Sequence, residues 1–288
     1  MNTLKKTKTI IAKYGIVANK RFGQNFLIDD NILDKIIESS EVTNEDLVIE
    51  IGPGLGNLTE YILDVAKYAL LVEIDKNMLE ILSDRFSTRD NYNIINEDIL
   101  KIDIDKEVEN VENKLGLKFK SVKVIANLPY YITTPIVFKL LQDSSRISDI
   151  TVMVQKEVAD RIVANPKSKD YGILTVMAKY LSESSIQVIV PKESFIPAPN
   201  VTSAVIRMTK QKKYKVNNEK LFFDLVHAAF AQRRKKMVNS LESVKFNNMN
   251  KAELNELMQK CGVSENARAE ELEIEKFIDI SNNIWYNS

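Results

Sequence analysis

Three residue types are scarce in this chain of 288 residues, which has one cysteine, one histidine and one tryptophan. The single cysteine, Cys261, excludes an intramolecular disulfide and is typical of a reducing compartment. Long apolar runs are also absent, since no stretch approaches the roughly 18 apolar residues that cross a bilayer. The N-terminus has lysines but lacks the apolar segment of a secretory signal. We therefore expect a soluble cytoplasmic protein that contacts no membrane.

A net charge of one sign is lacking too, because 40 basic residues balance 40 acidic ones. The distribution is nevertheless uneven. Residues 1–28 contain six Lys or Arg and no acid, and residues 207–236 contain ten Lys or Arg against two acids. A solvated surface is the ordinary explanation, but local basic segments also attract phosphate groups. The candidate RNA-binding residues in these two segments are Lys20, Arg21, Arg233, Arg234, Lys235 and Lys236.

Apolar runs alternate with amphipathic helical segments between residues 31 and 208. Leu47–Ile51 and Val122–Ala126, for example, are typical of buried strands. This alternation predicts an α/β fold with a doubly wound, mostly parallel sheet and helices on both faces. Helical spacing continues beyond a lysine-rich connector, but the strand pattern does not. We predict three parts: a basic N-terminal segment over 1–30, a sheet domain over 31–212 and a small all-helical domain over 213–288.

A glycine-rich loop follows the first predicted strand of this sheet. Gly52, Gly54 and Gly56 would let the main chain turn tightly and approach a ligand at the carboxyl end of the strand. Glu73 at the end of the next strand could accept hydrogen bonds from ribose hydroxyls, and Asp98 after the third could accept one from an adenine amine. The spacing is G-x-G-x-G and lacks the longer dinucleotide fingerprint. The pattern therefore favours a nucleoside ligand, and S-adenosyl-L-methionine fits it better than a dinucleotide does.

The tetrapeptide Asn127-Leu128-Pro129-Tyr130 ends another predicted strand. An amide oxygen and a neighbouring main-chain carbonyl can accept hydrogen bonds from an exocyclic amine, and the tyrosine ring offers a stacking face. Asn and Pro are equally typical of an ordinary turn. The tetrapeptide by itself therefore leaves open both a turn and a site for an amine-bearing ring.

These motifs, in this order, resemble those of the S-adenosyl-L-methionine-dependent adenine-N6 methyltransferases. The segments 20–27, 195–205 and 230–241 resemble three further motifs of one family, the ribosomal RNA adenine dimethyltransferases, and the bacterial small-subunit type in particular. The resemblance runs from about residue 8 to the C-terminus. It implies a Rossmann-like class I methyltransferase domain and a helical C-terminal domain that binds RNA.

The resemblance also implies roles for particular residues. Tyr130 and Phe195 would sandwich the target adenine, while the Asn127 side chain and the carbonyl of Leu128 or Pro129 would accept from its N6 amine. No metal and no nucleophilic residue would take part. The residues implied to contact the cofactor are Asn25, Leu27, Gly52, Gly54, Gly56, Glu73, Ile74, Asp98, Ile99 and Asn127.

The substrate implied by the resemblance is a pair of adjacent adenines in a hairpin loop near the 3′ end of small-subunit (16S) rRNA, each dimethylated at N6. The partner would be a 30S assembly intermediate, and we expect a monomeric enzyme. Three alternatives stay open. They are an Erm-type enzyme acting on 23S rRNA, a DNA adenine methyltransferase, and an RNA-binding assembly factor whose catalysis is secondary.

Overall fold

The computed structural model describes residues 2–17, 23–232 and 234–284. They form two compact units. The first contains the chain up to Ala159 together with Glu183–Lys210, and the second contains Asp160–Ser182 and the chain from Gln211 onward. The predicted boundary after residue 212 is close to the division at Lys210. The segment 160–182 differs from the prediction, because it groups with the helical unit.

The strands of the first unit form a seven-stranded sheet and a two-stranded sheet. In chain order the strands are β1 (Phe26–Leu27), β2 (Leu47–Ile51), β3 (Tyr68–Val72), β4 (Tyr92–Ile95), β5 (Val122–Asn127), β6 (Ile147–Gln155), β7 (Ser182–Val190), β8 (Phe195–Ile196) and β9 (Ser203–Lys210). The large sheet has the order β4-β3-β2-β5-β6-β9-β7. Strands β2 to β6 pair in parallel, and β9 is antiparallel to β6. This arrangement confirms the predicted mostly parallel sheet.

Helices follow the strands as the periodicity of the sequence predicts. The helices that begin in the first unit are α1 (Thr3–Tyr14), α2 (Asp30–Ser40), α3 (Asn57–Val65), α4 (Lys76–Arg85), α5 (Ile104–Leu115), α6 (Thr133–Gln142) and α7 (Lys156–Ile162). All side chains of β2 and β3 are buried, as expected for central parallel strands covered on both faces. No helix within the described ranges is long and apolar enough to span a bilayer.

The strand order reverses direction between β2 and β5, which are neighbours in the sheet. Leu47 at the start of β2 pairs with Val122 at the start of β5, so both strands run to the same edge. Crevices for ligands form at such reversals, beyond the carboxyl ends of the strands. The topology therefore places the glycine loop after β2 beside Asn127 at the end of β5.

The second unit is helical and has its own core. Its remaining helices are α8 (Ile173–Leu181), α9 (Glu219–Phe230), α10 (Met237–Ser243), α11 (Lys251–Lys260) and α12 (Ile274–Asn283). Phe222, Phe277 and Tyr171 are fully buried in this core. The Tyr171 hydroxyl donates a hydrogen bond to the Leu272 carbonyl at 2.7 Å. Because Tyr171 and Leu272 are 101 positions apart, the grouping of 160–182 with this unit depends on contacts that local periodicity does not encode.

Candidate active site

A cavity lies at the carboxyl ends of β2, β3 and β5 in the first unit. Five chain segments contribute its lining: 23–27, 50–58, 72–74, 97–100 and 127–136. Nearly all the residues predicted for the cofactor and the target base come from these segments. The fold therefore gathers residues that are more than 100 positions apart in the sequence, such as Asn25 and Asn127.

The three loop glycines do not share one role. Gly52 and Gly54 line the cavity, whereas Gly56 does not. Gly52 has a φ of +65°, and a Cβ built on it meets nothing within 4 Å, so the space beside it is open to a ligand. A Cβ on Gly56, where φ is +79°, would lie 2.7 Å from a ring carbon of Phe86. Gly56 was predicted to bind the cofactor, but its surroundings explain it as the site of close packing between α3 and α4.

Glu73 follows β3 directly and is buried, with 5% of its surface exposed. One carboxylate oxygen accepts from the Gly54 N–H at 3.1 Å, and the other accepts from the Asp75 N–H at 2.8 Å. Burial raises the pKa of this carboxyl above its ordinary value. Each oxygen keeps a second lone pair, which could accept from one of two ribose hydroxyls. Glu73 thus fixes the glycine loop and presents acceptors to the cavity at the same time.

Asp98 follows β4 and lines the cavity. Its Oδ1 accepts from the Leu100 N–H at 3.0 Å, which begins a short 3-10 turn. Ile74 and Leu100 also line the cavity and are unusually exposed for aliphatic residues, at 46% and 37%. Ile99, the second predicted apolar wall, lines the cavity but is buried. Leu100 was not predicted, and an apolar ring such as adenine would cover the exposed side chains.

The N-terminal motif reaches the cavity through Asn25 and Leu27. The Asn25 side chain donates to the Gly23 carbonyl at 3.0 Å. The Leu27 carbonyl accepts from the Asn57 side chain at 2.8 Å. Two other residues predicted in this region, Lys20 and Arg21, lie outside the described residues.

Asn127 ends β5 with its amide oriented by a hydrogen bond. Its nitrogen donates to the Asn25 carbonyl at 3.0 Å. That bond turns the amide oxygen away from Asn25 and leaves it as an acceptor for a ligand amine. Asn127 therefore links the N-terminal motif to the predicted target site.

The two carbonyls proposed as partners of Asn127 differ in availability. The Pro129 carbonyl already accepts from the Thr133 hydroxyl at 3.0 Å and from the Ile132 N–H at 3.3 Å. No hydrogen bond to the Leu128 carbonyl occurs within the part of the chain that the structure describes. Because a carbonyl oxygen has two lone pairs, the Pro129 carbonyl is already fully used, whereas the Leu128 carbonyl is available to a ligand amine.

The predicted aromatic pair is divided between the cavity and the core. Tyr130 lines the cavity, and its hydroxyl is 2.6 Å from the buried Ser203 hydroxyl. Burial raises the pKa of the Tyr130 hydroxyl. Phe195 is 3% exposed, packs in the core of the first unit and does not line the cavity. It lies in β8, where it pairs with Leu27 of the N-terminal motif, and its stacking on the target base stays a prediction.

Glu50 is a buried acid beside the cavity that the motif analysis did not single out. It lies in β2 with 2% of its surface exposed, and the Thr59 hydroxyl donates to it at 2.6 Å. Burial raises its pKa to about 8, and the nearby Glu73 contributes in the same direction. The all-apolar neighbours of Glu50 in β2 are the sequence signal that could have indicated a buried acid.

Arg85 at the end of α4 supports the site from outside the cavity. It donates to the Leu55 carbonyl at 2.5 Å, to the Asn57 side chain at 3.0 Å and to Glu60 at 2.6 Å. Asn57 in turn holds the Leu27 carbonyl. Arg85 therefore fixes both the end of the glycine loop and, through Asn57, the N-terminal motif. Sequence reasoning could not find it, because its partners lie about 25 to 30 positions away.

The second basic segment begins in β9, and its part from Gln211 onward belongs to the helical unit. Arg234, Lys235 and Lys236 are exposed, as a phosphate-binding surface requires. Lys236 contacts the Asn266 side chain and precedes α10. Arg233 lies outside the described residues.

The cavity residues fit the predicted cofactor on their own chemistry. Gly52 leaves open space that a side chain would occupy, Glu73 offers buried acceptors for hydroxyls, and Ile74 offers an exposed apolar wall. An adenosine group requires these three features: a main chain that it can approach closely, acceptors for its ribose hydroxyls and an apolar surface against its flat ring.

The family model described as ribosomal RNA adenine dimethylase matches residues 16–285. The chain belongs to this family. Adenine dimethylase membership confirms the predicted enzyme class and cofactor: the protein is an rRNA adenine methyltransferase that uses S-adenosyl-L-methionine.

Curated relatives are similar over nearly their whole length. The ribosomal RNA small subunit methyltransferase A of Clostridioides difficile is 46% identical over 278 residues, which cover 96% of this chain and 94% of that protein. The protein of the same name from Bacillus pumilus is 46% identical over 280 residues, again covering 96% of this chain and 94% of the relative.

Two solved structures share the fold of the adenine dimethylase chain. A dimethyladenosine transferase from Plasmodium falciparum has a TM-score of 0.71 at 24% identity, over 88% of this chain and 95% of that one. The 23S rRNA methyltransferase ErmE has a TM-score of 0.65 at 24% identity, over 89% of this chain and 98% of that one. These likenesses confirm the predicted class I methyltransferase architecture.

Proposed function

We propose that this protein transfers methyl groups from S-adenosyl-L-methionine to N6 of two adjacent adenines in a hairpin loop near the 3′ end of small-subunit rRNA, giving N6,N6-dimethyladenine. The observation that carries the proposal is the acceptor pair at the end of β5. The Asn127 amide oxygen is oriented by the bond from its nitrogen to Asn25, and the Leu128 carbonyl beside it is unused within the described residues. Two acceptors on consecutive residues could each take one of the two hydrogens of an adenine amine.

The chemical task of these acceptors is to make N6 a better nucleophile. The lone pair of N6 is delocalised into the adenine ring, so the amine attacks poorly unless it becomes more tetrahedral. The cofactor supplies an electrophilic methyl group on a sulfonium. Hydrogen bonds from N6 to Asn127 and Leu128 favour the tetrahedral amine and stabilise the positive charge that grows on it, since preorganised dipoles act most strongly where charge develops.

Tyr130 assists by holding the target ring. Its own ring is fixed by the hydrogen bond to Ser203, so stacking on the base requires little further ordering. A π face can also stabilise developing positive charge by about 1–2 kcal/mol when water is excluded. The base must leave its stack to reach this position, as base-modifying enzymes require.

The choice of the small subunit over the large one rests on the names of the relatives at 46% identity. The likeness to ErmE at 24% identity supports only the common fold. A DNA adenine methyltransferase is disfavoured because such enzymes usually begin the tetrapeptide with an acid, where this chain has Asn127. An assembly role could coexist with catalysis, since the acceptors and the cofactor residues are all present.

The physical form of the substrate is the finer part of the proposal. We place the reaction on a 30S assembly intermediate and assign it to a monomer that needs no metal. The exposed Arg234, Lys235 and Lys236 support contact with an RNA larger than the target loop, because basic side chains attract a phosphate backbone.

The experiment compares Asn127→Ala with Asn110→Ala, an exposed asparagine of α5 outside the cavity lining. Both variants receive radiolabelled S-adenosyl-L-methionine and small subunits from cells lacking this protein. Primer extension then locates dimethylated adenines, which block reverse transcriptase. We expect Asn127→Ala to lose about 100-fold or more in transfer rate, by analogy with loss of one preorganised catalytic hydrogen bond, and Asn110→Ala to behave as the unaltered protein.

Cofactor binding, measured by calorimetry, should weaken in Asn127→Ala without disappearing, because the loop and Glu73 are retained. Near-normal turnover by this variant would contradict the mechanism. Methylation of large subunits in preference to small ones would favour the Erm-type alternative.

A further inference from the structure

Tyr131 is an exposed aromatic residue of the cavity. Among the residues that the structure describes, the aromatic side chains that line it are Phe26, Tyr130 and Tyr131. Phe26 is 7% exposed and packs in the core, Tyr130 is partly buried, and Tyr131 is 56% exposed. An exposed ring among the residues that line a cavity is available to stack on a ligand base.

The surroundings of Tyr131 support its ring but do not use its hydroxyl. A Cβ built on Gly23 would lie 3.6 Å from Cδ1 of the Tyr131 ring, so the main chain of the N-terminal motif passes close to it. No hydrogen bond to the Tyr131 hydroxyl occurs among residues 2–17, 23–232 and 234–284. Tyr131 therefore offers a ligand its aromatic face, together with a hydroxyl that no described residue uses.

Tyr131 and Tyr130 do not serve the same base. Both lie in the 3-10 turn Tyr130–Ile132, where successive side chains point about 120° apart because the turn has about three residues per revolution. Tyr130 is anchored to Ser203 on the inner side. A target base must be removed from water to react, so a ring that is more than half exposed is better suited to a base outside the pocket.

We propose that Tyr131 stacks on the base next to the adenine that occupies the pocket. The inference rests on the proposed function, in which the two target adenines are neighbours. While one adenine is held by Asn127 and Tyr130, its neighbour lies on the Tyr131 ring.

The test compares Tyr131→Ala and Tyr131→Phe, with Leu115→Ala as a matched control. Leu115 is a similarly exposed apolar residue at the end of α5, outside the cavity lining. Steady-state methylation of small subunits from cells lacking this protein gives KM and kcat. Loss of one base–aromatic stack should raise the KM of Tyr131→Ala for the subunit by about tenfold with kcat within twofold, because the stack exists before and during transfer.

Tyr131→Phe keeps the stacking face and should match the unaltered protein, as should Leu115→Ala. A second measurement uses a hairpin RNA with 2-aminopurine beside one target adenine. Its fluorescence should be quenched on binding to the unaltered protein and to Tyr131→Phe, and should stay high with Tyr131→Ala.

An unchanged KM and unchanged quenching in Tyr131→Ala would overturn the inference. A fall in kcat with constant KM would also overturn it, because that result places the ring against the reacting base. Absence of methylation by the unaltered protein would instead contradict the proposed function. The 2-aminopurine measurement requires binding but no transfer, so it decides the stacking inference in that case too.

Discussion

Alanine at Gly52 and at Gly56 should separate the two roles of the loop after β2. Both glycines have positive φ, at +65° and +79°, so alanine at either position destabilises the fold by about 1–2 kcal/mol through the backbone alone. At Gly56 the new methyl group would also meet the Phe86 ring at 2.7 Å, and such overpacking adds about 1–3 kcal/mol. At Gly52 the methyl group meets no protein atom within 4 Å and projects into the open space beside the cavity-lining loop.

We expect the two substitutions to affect different properties: Gly56→Ala mainly the stability, and Gly52→Ala mainly the binding of the cofactor. Gly56→Ala should lower the free energy of unfolding by about 2–5 kcal/mol, the sum of the two terms, while folded protein still binds the cofactor. Gly52→Ala should lower the free energy of unfolding by only about 1–2 kcal/mol. It should raise the dissociation constant for S-adenosyl-L-methionine by tenfold or more, which is about 1.4 kcal/mol or more of binding free energy. Gly116→Ala is the matched control, because Gly116 has a φ of +65°, has no neighbour within 4 Å and lies at the end of α5.

Denaturant unfolding without cofactor gives the stabilities, since a bound ligand would shift them, and calorimetry gives the affinities. Equal stability of Gly56→Ala and Gly116→Ala would refute the packing role of Gly56. Normal cofactor affinity in Gly52→Ala would refute the placement of the cofactor beside that glycine.

Two further predictions concern charge. Burial raises the pKa of Glu50 from 4.5 to about 8, so between these pH values the folded state keeps a proton that the unfolded chain releases. The free energy of unfolding should therefore fall as the pH rises through this range, by at most about 1.4 kcal/mol per pH unit. Glu50→Gln should remove this decline in pH-dependent denaturation, and an unchanged pH profile would contradict the buried titration. Charge reversal of Arg234 and Lys235 to Glu should weaken small-subunit rRNA binding and reduce its salt dependence in filter binding. Lys67→Glu, before β3 at the opposite end of the strands from the cavity, is the control, and an unchanged salt slope would exclude the basic segment from the interface.

Local sequence patterns predicted much of the architecture. Buried apolar runs and helical spacing recur every few residues, so they report the strands, the helices and their alternation directly. The prediction of a mostly parallel sheet followed from this alternation, and the structure confirms it. The glycine loop and Asn127 were also visible, because a turn at a strand end constrains residue type within a few positions.

The domain division shows where local patterns end. The segment 160–182 has a helix much like those of the sheet domain, and nothing within it indicates which core it joins. Tyr171 decides this by burying its ring and donating to Leu272, far along the chain. Hydrophobic periodicity predicts that one face of a helix is buried, but it does not predict which element packs against that face.

The sequence by itself therefore determined the chemistry of this protein: a nucleoside-binding sheet edge, an amide at a strand end and basic segments suited to RNA. Tertiary structure decided the assignment of tasks among similar residues. It turned Phe195 into the core while exposing Tyr131, used Gly56 for packing and satisfied the Pro129 carbonyl with Thr133. The reason is physical. Residue type fixes which hydrogen bonds and contacts a side chain can make, but folding decides which neighbours surround it and therefore which of its groups are left for a ligand.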